Sequence, residues 1–220
     1  MQPTSMKYNP AFLGDEALIA SFVARGAELA RIVEVIRDNT AGSNQHVLVI
    51  GPRGIGKTTL VLRSAAEVRG DPELRAAWYP VVFGEETYQV TSPGEFWLEA
   101  LFQVGEQTGV ARWKGAHEEL IAERDEDRLR LRAIAQLMDF ADEQRKRLLL
   151  VVENLNMLLG DQIDSDDVWV LRQTLMNEPR IMLLATATSR FEEIDDYNSA
   201  LYEMFRIIQL EPLEQGEAQA

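Results

Sequence analysis

The string Gly51-Pro52-Arg53-Gly54-Ile55-Gly56-Lys57-Thr58 satisfies the spacing G-x-x-x-x-G-K-[ST], and its key residue types have a chemical reason to be there. Glycines let the backbone turn so that successive N–H groups face inward, where they can hold a chain of phosphates. A helix beginning at Gly56 would add its N-terminal partial positive charge on the same side. Lys57 would then reach the β- and γ-phosphates, and the Thr58 hydroxyl would join the shell of a Mg2+ ion. Thr59 completes the expected nucleotide-binding set. At average residue frequencies the bare pattern arises by chance in roughly one chain in a hundred of this size, so its setting must decide.

That setting is strand, loop, helix. His46 to Ile50 is a short apolar run with β-branched residues, as a buried strand requires, and from Lys57 to Arg69 the pattern turns helical until Gly70-Asp71-Pro72 closes it. Upstream, Leu18, Ile19, Phe22, Leu29, Ile32, Val33 and Ile36 fall at roughly helical spacing, broken by Gly26, which predicts two short helices or one kinked helix over 15–38. Downstream, "WYPVVFGEE" predicts a second strand, and Ser92-Pro93 the N-cap and first position of a helix. The charged stretch 118–147 carries an apolar stripe of Leu131, Ile134, Ala135 and Met138, its charges reading as a solvated helix face. "LLLVVENLN" is the most apolar strand and suits a central parallel position. After the acidic turn "GDQIDSDD" come a helix from about Val168, the strand "RIMLLATAT", a short helix near Tyr197 and a last strand "FRIIQLEPL". Strands alternating with helices predict a parallel sheet covered on both faces.

Composition narrows the partners. A chain of 220 residues, 46% hydrophobic, can bury one full core with little room for a second. Twenty-two Lys and Arg against 36 Asp and Glu give a net charge of -14, so the surface as a whole should repel nucleic acid and anionic membrane, leaving room only for a local basic patch. Without cysteine there is no disulfide framework and no thiolate metal site, which agrees with a reducing compartment. His46 and His117 are too few and too scattered for a metal cluster. The first residues lack the pattern of a secretory signal, and the longest fully apolar run, Leu148 to Val152, cannot cross a bilayer. The expectation is a soluble, cytoplasmic protein. Asp161, Asp164, Asp166 and Asp167 lack the central Gly and terminal Glu of an EF-hand loop and read as a turn with an N-cap. Trp78, Trp97, Trp113 and Trp169 are spread too widely for a stacking platform and read as packing residues.

A phosphate loop alone does not choose among kinases, GTPases and motor-type ATPases. The guanine reader N-K-x-D and the transporter signature L-S-G-G-Q are both absent. The segments "FVARGAELARIVEVI", "IGPRGIGKTTL", "LLLVVENL" and "IMLLATATSRFEEI" resemble, in order and spacing, the AAA+ ATPases, most closely the origin-recognition and STAND-related branch, over about residues 8–213. The resemblance implies a three-layer α/β P-loop NTPase fold with a five-stranded parallel sheet in the order 5-1-4-3-2, with ATP and Mg2+ as cofactors. It implies a helical segment over 1–44, an ATPase core over 45–210, and in 211–220 the start of a truncated lid or a tail. It places Phe22, Val23 and Arg25 near the adenine, the alternative for Arg25 being a helical i,i+3 pair with Glu28. Thr186 or Thr188 would be the sensor 1 group. Arg172, Arg180, Arg190 and Arg206 lie in the region that supplies an arginine finger to a neighbouring subunit, and Arg206 is the choice among them.

The second acidic strand departs from the family pattern, an apolar strand followed by Asp for magnesium and Glu for the attacking water. Here Val152, Glu153 and Asn154 allow two registers: Glu153 and Asn154 replace Asp and Glu, or Val152 stands at the Asp position and Glu153 is the base. Either register lacks one carboxylate, so slow hydrolysis is expected, with Glu153 in the catalytic site. The leading expectation is a Mg·ATP-binding AAA+-like ATPase acting as a conformational switch or motor. A regulatory module with little hydrolysis and a DNA-associated initiator-like ATPase are the alternatives, the last opposed by the charge. Only "EPLEQGEAQA" follows Leu210, too short for a lid, so the expectation is a truncated form, or a homo-oligomer or partner protein that completes the site.

Overall fold

The computed structural model describes residues 14–42, 44–84 and 90–213, apart from the side chains at 160 and 161. Of the two readings for 15–38, two helices or one kinked helix, the structure has two: α1 (Asp15–Ser21) and α2 (Gly26–Thr40), the second starting after Arg25, whose backbone is left-handed with φ 70°. β1 (His46–Ile50) runs into the Gly-rich loop, and α3 (Lys57–Gly70) follows. Asp71 then caps α4 (Pro72–Ala77), its carboxylate accepting the N–H groups of Glu73 and Leu74. β2 (Trp78–Val82) is shorter than its sequence pattern, and Glu85-Glu86 lie outside the described residues. As expected, Ser92 caps α5 (Pro93–Thr108) by accepting the Glu95 N–H at 3.2 Å, and Gly109 ends it at φ 66°.

The charged stretch forms α6 (Ala111–Leu120) and α7 (Glu126–Gln144), and of the expected apolar stripe Met138 is buried and Ile134 packs half-buried against the core, while the other two face outward. Leu131 is 59% exposed, and Ala135 is exposed as well. The buried face is Leu129, Ala133, Leu137, Phe140 and Ala141, joined by Met138. Positions 131 and 135 lie about 200° round the helix from 129 and 133, so packing that buries the second set must expose the first.

β3 (Arg147–Val152) leads to the single turn α8 (Leu155–Met157), a π-turn (Leu158–Gln162) and α9 (Ser165–Asn177). Asp164 stands at the N-cap of α9, yet its side chain makes no capping bond, so the cap expected from the acidic turn is geometric only. β4 (Ile181–Ala187), the short α10 (Glu192–Asp195) and β5 (Phe205–Gln209) complete the order.

All five strands are parallel, in the order β2-β3-β4-β1-β5, which is the predicted 5-1-4-3-2 read from the other edge. Alternate strand residues feed opposite faces, as the two-residue period demands. Leu48, Leu150 and Leu183 pack with α5, α7 and α9, while Val47, Val49, Leu149 and Leu184 pack with α2, α3 and α4. Three layers result. Trp78, Trp97 and Trp113 are core residues, whereas Trp169 is half exposed on α9. At the outer edge Pro80 has no N–H to offer, and the Gln107 side chain bonds Val82, donating to its C=O at 2.9 Å and accepting its N–H at 3.4 Å. Among the described residues no helix is long and apolar enough to cross a membrane.

Candidate nucleotide site

The loop after β1 is shaped by three glycines for two reasons. Gly54 and Gly56 have φ of 80° and 99°, conformations in which a side chain is strained. Gly51 is set by crowding: a Cβ there would stand 2.9 Å from Ile55 Cγ2 and 3.2 Å from Leu210 Cβ. Its N–H donates to Ala187 O at the end of β4 (3.1 Å), and Leu210 N–H donates to Ile50 O (2.8 Å), so both neighbouring strands grip the root of the loop. Pro52, Arg53 and Gly54 are exposed at the lip, and α3 starts at Lys57 with its N-terminus at the loop.

Lys57 folds back on this loop, its Nζ donating to Gly51 O (2.6 Å) and Pro52 O (3.0 Å). Burial pushes its ammonium below the usual lysine range; the Glu153 charge opposes that shift and the Arg53 charge adds to it. The Thr58 hydroxyl donates to the Glu153 carboxylate. That contact follows from topology: β3 pairs with β4 and β4 with β1, so the residue after Val152 emerges beside the start of α3. Asn154 is left-handed (φ 53°), and its N–H donates to Thr186 Oγ1 at 3.1 Å. Thr186 is fully buried. One step further out, Asn156 donates to Thr188 Oγ1 (3.2 Å) and accepts the Thr188 N–H (3.1 Å). Sequence reasoning missed this Asn156 rung; the spacing of 32 residues, the same as from Asn154 to Thr186, is its only trace.

The upstream segment lies against the loop. Phe22 packs beside α3, its ring 5.8 Å from the Arg63 guanidinium, while Val23 is 62% exposed. Arg25 does pair with Glu28 (3.2 Å), and it also donates to Ile55 O (3.3 Å) and Glu211 O (2.6 Å). Of the arginine-finger candidates, three are engaged within the chain. Arg172 donates to Ala200 O and Tyr202 O, Arg180 pairs with Glu178 and Asp142, and Arg190 pairs with Asp195. Arg206 is exposed on β5 opposite Val47, near the end of the sheet remote from the loop. Among the described residues no group of three or more His, Asp or Glu could hold a metal ion.

A five-stranded parallel sheet between helical layers, with a glycine loop and lysine at the tip of β1 and a carboxylate at the tip of β3, defines a P-loop NTPase. Within that class the chain belongs to the AAA ATPase domain family, whose profile matches residues 21–184. Among curated proteins, none matches the sequence. Solved structures with a similar fold include the Aeropyrum pernix ORC1 protein in complex with DNA, 14% identical with a TM-score of 0.62, covering 92% of this chain and 50% of that one. The A. pernix ORC2 protein in ADPNP-ADP complexes is 16% identical with a TM-score of 0.61, covering 85% and 48%. A Walker-type ATPase of Pyrococcus abyssi is 15% identical with a TM-score of 0.52, covering 90% and 56%. The chain thus spans about half the length of each.

Proposed function

We propose that this chain binds Mg·ATP in the phosphate loop and acts as a nucleotide-dependent conformational switch that hydrolyses ATP slowly. The contact of the Thr58 hydroxyl with the Glu153 carboxylate carries the reading. Side by side they are hard oxygen donors, the kind Mg2+ takes together with phosphate oxygens and water, and they fit as the pair that would hold it. The ion would supply charge neutralisation at the phosphates. Lys57 would exchange its two carbonyl acceptors for phosphate oxygens, and the loop N–H groups from Gly54 to Thr59 would hold the rest of the chain.

Of the two strand-end registers, the Thr58 contact favours Glu153 on the metal side, which leaves Asn154 where the attacking water would be oriented. An amide can hold that water but cannot take its proton, so slow turnover follows. This favours the switch over a motor and approaches the limit of a regulatory module with little hydrolysis. Thr186, bonded to the Asn154 N–H, is the better placed of the two sensor candidates. We keep Phe22, Val23 and Arg25 on the adenine side and Arg206 as the group offered to a neighbouring subunit, since Arg206 has no ion pair among the described residues. A second copy or a partner protein that takes up this arginine belongs to the same reading.

The test is ATP turnover at several protein concentrations for the native chain, Glu153→Gln and Asn154→Glu. Glu153→Gln is expected to lower turnover by about tenfold or more, and Asn154→Glu to raise it by a similar factor. Turnover in Asn154→Glu no faster than native, with nucleotide affinity retained, would overturn the register.

A further inference from the structure

We infer that Arg25 is a positioning residue for nucleotide binding: its guanidinium orients the Ile55–Gly56 peptide toward the phosphates and ties that peptide to the chain leaving β5 at Glu211. The inference rests on the phosphate-loop reading above.

Arg25 is 7% exposed in its side chain, although an i,i+3 pair with Glu28 needs no burial and forms on any helix surface. Burial brings the guanidinium within reach of two backbone carbonyls, Ile55 O at 3.3 Å and Glu211 O at 2.6 Å, both served by the same nitrogen, Nη2. Its backbone is left-handed, a conformation that non-glycine residues adopt at a cost and keep only where the surroundings enforce it. That residue is also the N-cap of α2, so the helix start and the aim of the side chain are fixed together.

Ile55 C=O and Gly56 N–H belong to one planar trans peptide and point in opposite directions. A cation behind the carbonyl therefore holds the N–H on the face away from Arg25, the face on which the phosphate-loop reading puts the phosphates. Hydrogen bonding at the carbonyl also polarises the peptide and strengthens the N–H as a donor to an anion. At the other end of the tie, Leu210 N–H bonds Ile50 O, and Leu210 crowds Gly51. Residues 210–211 thus touch the loop at its first residue directly and at its fifth through Arg25. Any shift of the Ile55 peptide on phosphate binding passes to Glu211 through one nitrogen.

The experiment compares the full native chain with Arg25→Ala, Arg25→Lys and, as a control for the site, Lys57→Ala. Hydrogen exchange is followed by mass spectrometry without nucleotide and with Mg2+ plus a fluorescent ATP analogue, whose affinity is measured in parallel. Without nucleotide, Arg25→Ala should exchange faster at segments 55–57 and 208–213 and unchanged at β3, which separates loss of the tie from general destabilisation. Its affinity for the analogue should fall about tenfold, and the protection nucleotide confers on 208–213 in the native chain should vanish. Arg25→Lys should recover only part of the loss, because an ammonium lacks the planar fork. Should Arg25→Ala not fold, Arg25→Lys carries the same comparison. A native chain that binds no analogue would remove the nucleotide reading and this role with it. A native chain that binds, beside an Arg25→Ala variant with equal affinity and equal protection at 208–213, would overturn the role of Arg25 alone.

Discussion

Lys57 shows how one side chain can serve two states. Without a ligand its ammonium braces the loop through Gly51 O and Pro52 O, and with one those carbonyls would be exchanged for phosphate oxygens at little rearrangement. The brace lies in a loop outside the sheet, and truncating it should spare the fold. Lys57→Ala is expected to abolish measurable ATP binding by calorimetry while its melting temperature stays within a few degrees of native. Affinity equal to native would remove the site assignment. Residue types made this position legible in advance, since glycine spacing and a following lysine have few other uses. Of the partners of Arg25 only Glu28 was legible. Two of its three acceptors are backbone carbonyls, which every residue carries, so no pattern of side chains could point to them.

At the scale of elements, β1 begins on a buried histidine. His46 Nδ1 accepts the Leu183 N–H at 3.0 Å, and burial drives its pKa down to about 4, the Leu175 carbonyl opposing the shift. An unfolded chain takes up a proton near pH 6.5 that the folded chain refuses until about pH 4. Stability should therefore be fully present above pH 6.5 and decline as pH falls, by up to about 3 kcal/mol from this residue. Urea denaturation at pH 7, 6 and 5 should show the midpoint falling in the native chain and falling less in His46→Gln. Equal slopes would assign the pH dependence elsewhere. The strands were readable because buried parallel strands are nearly unbroken apolar runs, as in Leu148 to Val152. The phase of α7 was not, because Leu131 and Ala135 offer one apolar face and Leu129, Ala133 and Leu137 another, and only packing against α5 chooses between them.

The molecule as a whole carries a net charge of -14, yet its cations are not evenly spread. Arg145, Lys146, Arg147 and Arg180, with Asp142, line a hollow of about 390 Å3 where β3 and β4 begin. Arg69, Arg75 and Lys146, with Asp15, line another of about 360 Å3 beside the start of β2. Such patches can hold phosphates at low salt, but the overall charge opposes approach and screening removes the attraction. A duplex of about 20 base pairs should therefore show weak binding near 50 mM salt and none near 150 mM by fluorescence anisotropy. Tight binding at the higher salt would favour the DNA-associated reading. The bond between Gln107 and Val82 bears on how copies of the chain meet at high concentration. An exposed strand edge invites another backbone to join, and repeated joining builds fibrils. Here the amide of Gln107 poses as a neighbouring strand one residue long, and Pro80 has no N–H to donate to a further one. Growth by adding strand to strand finds this edge already answered.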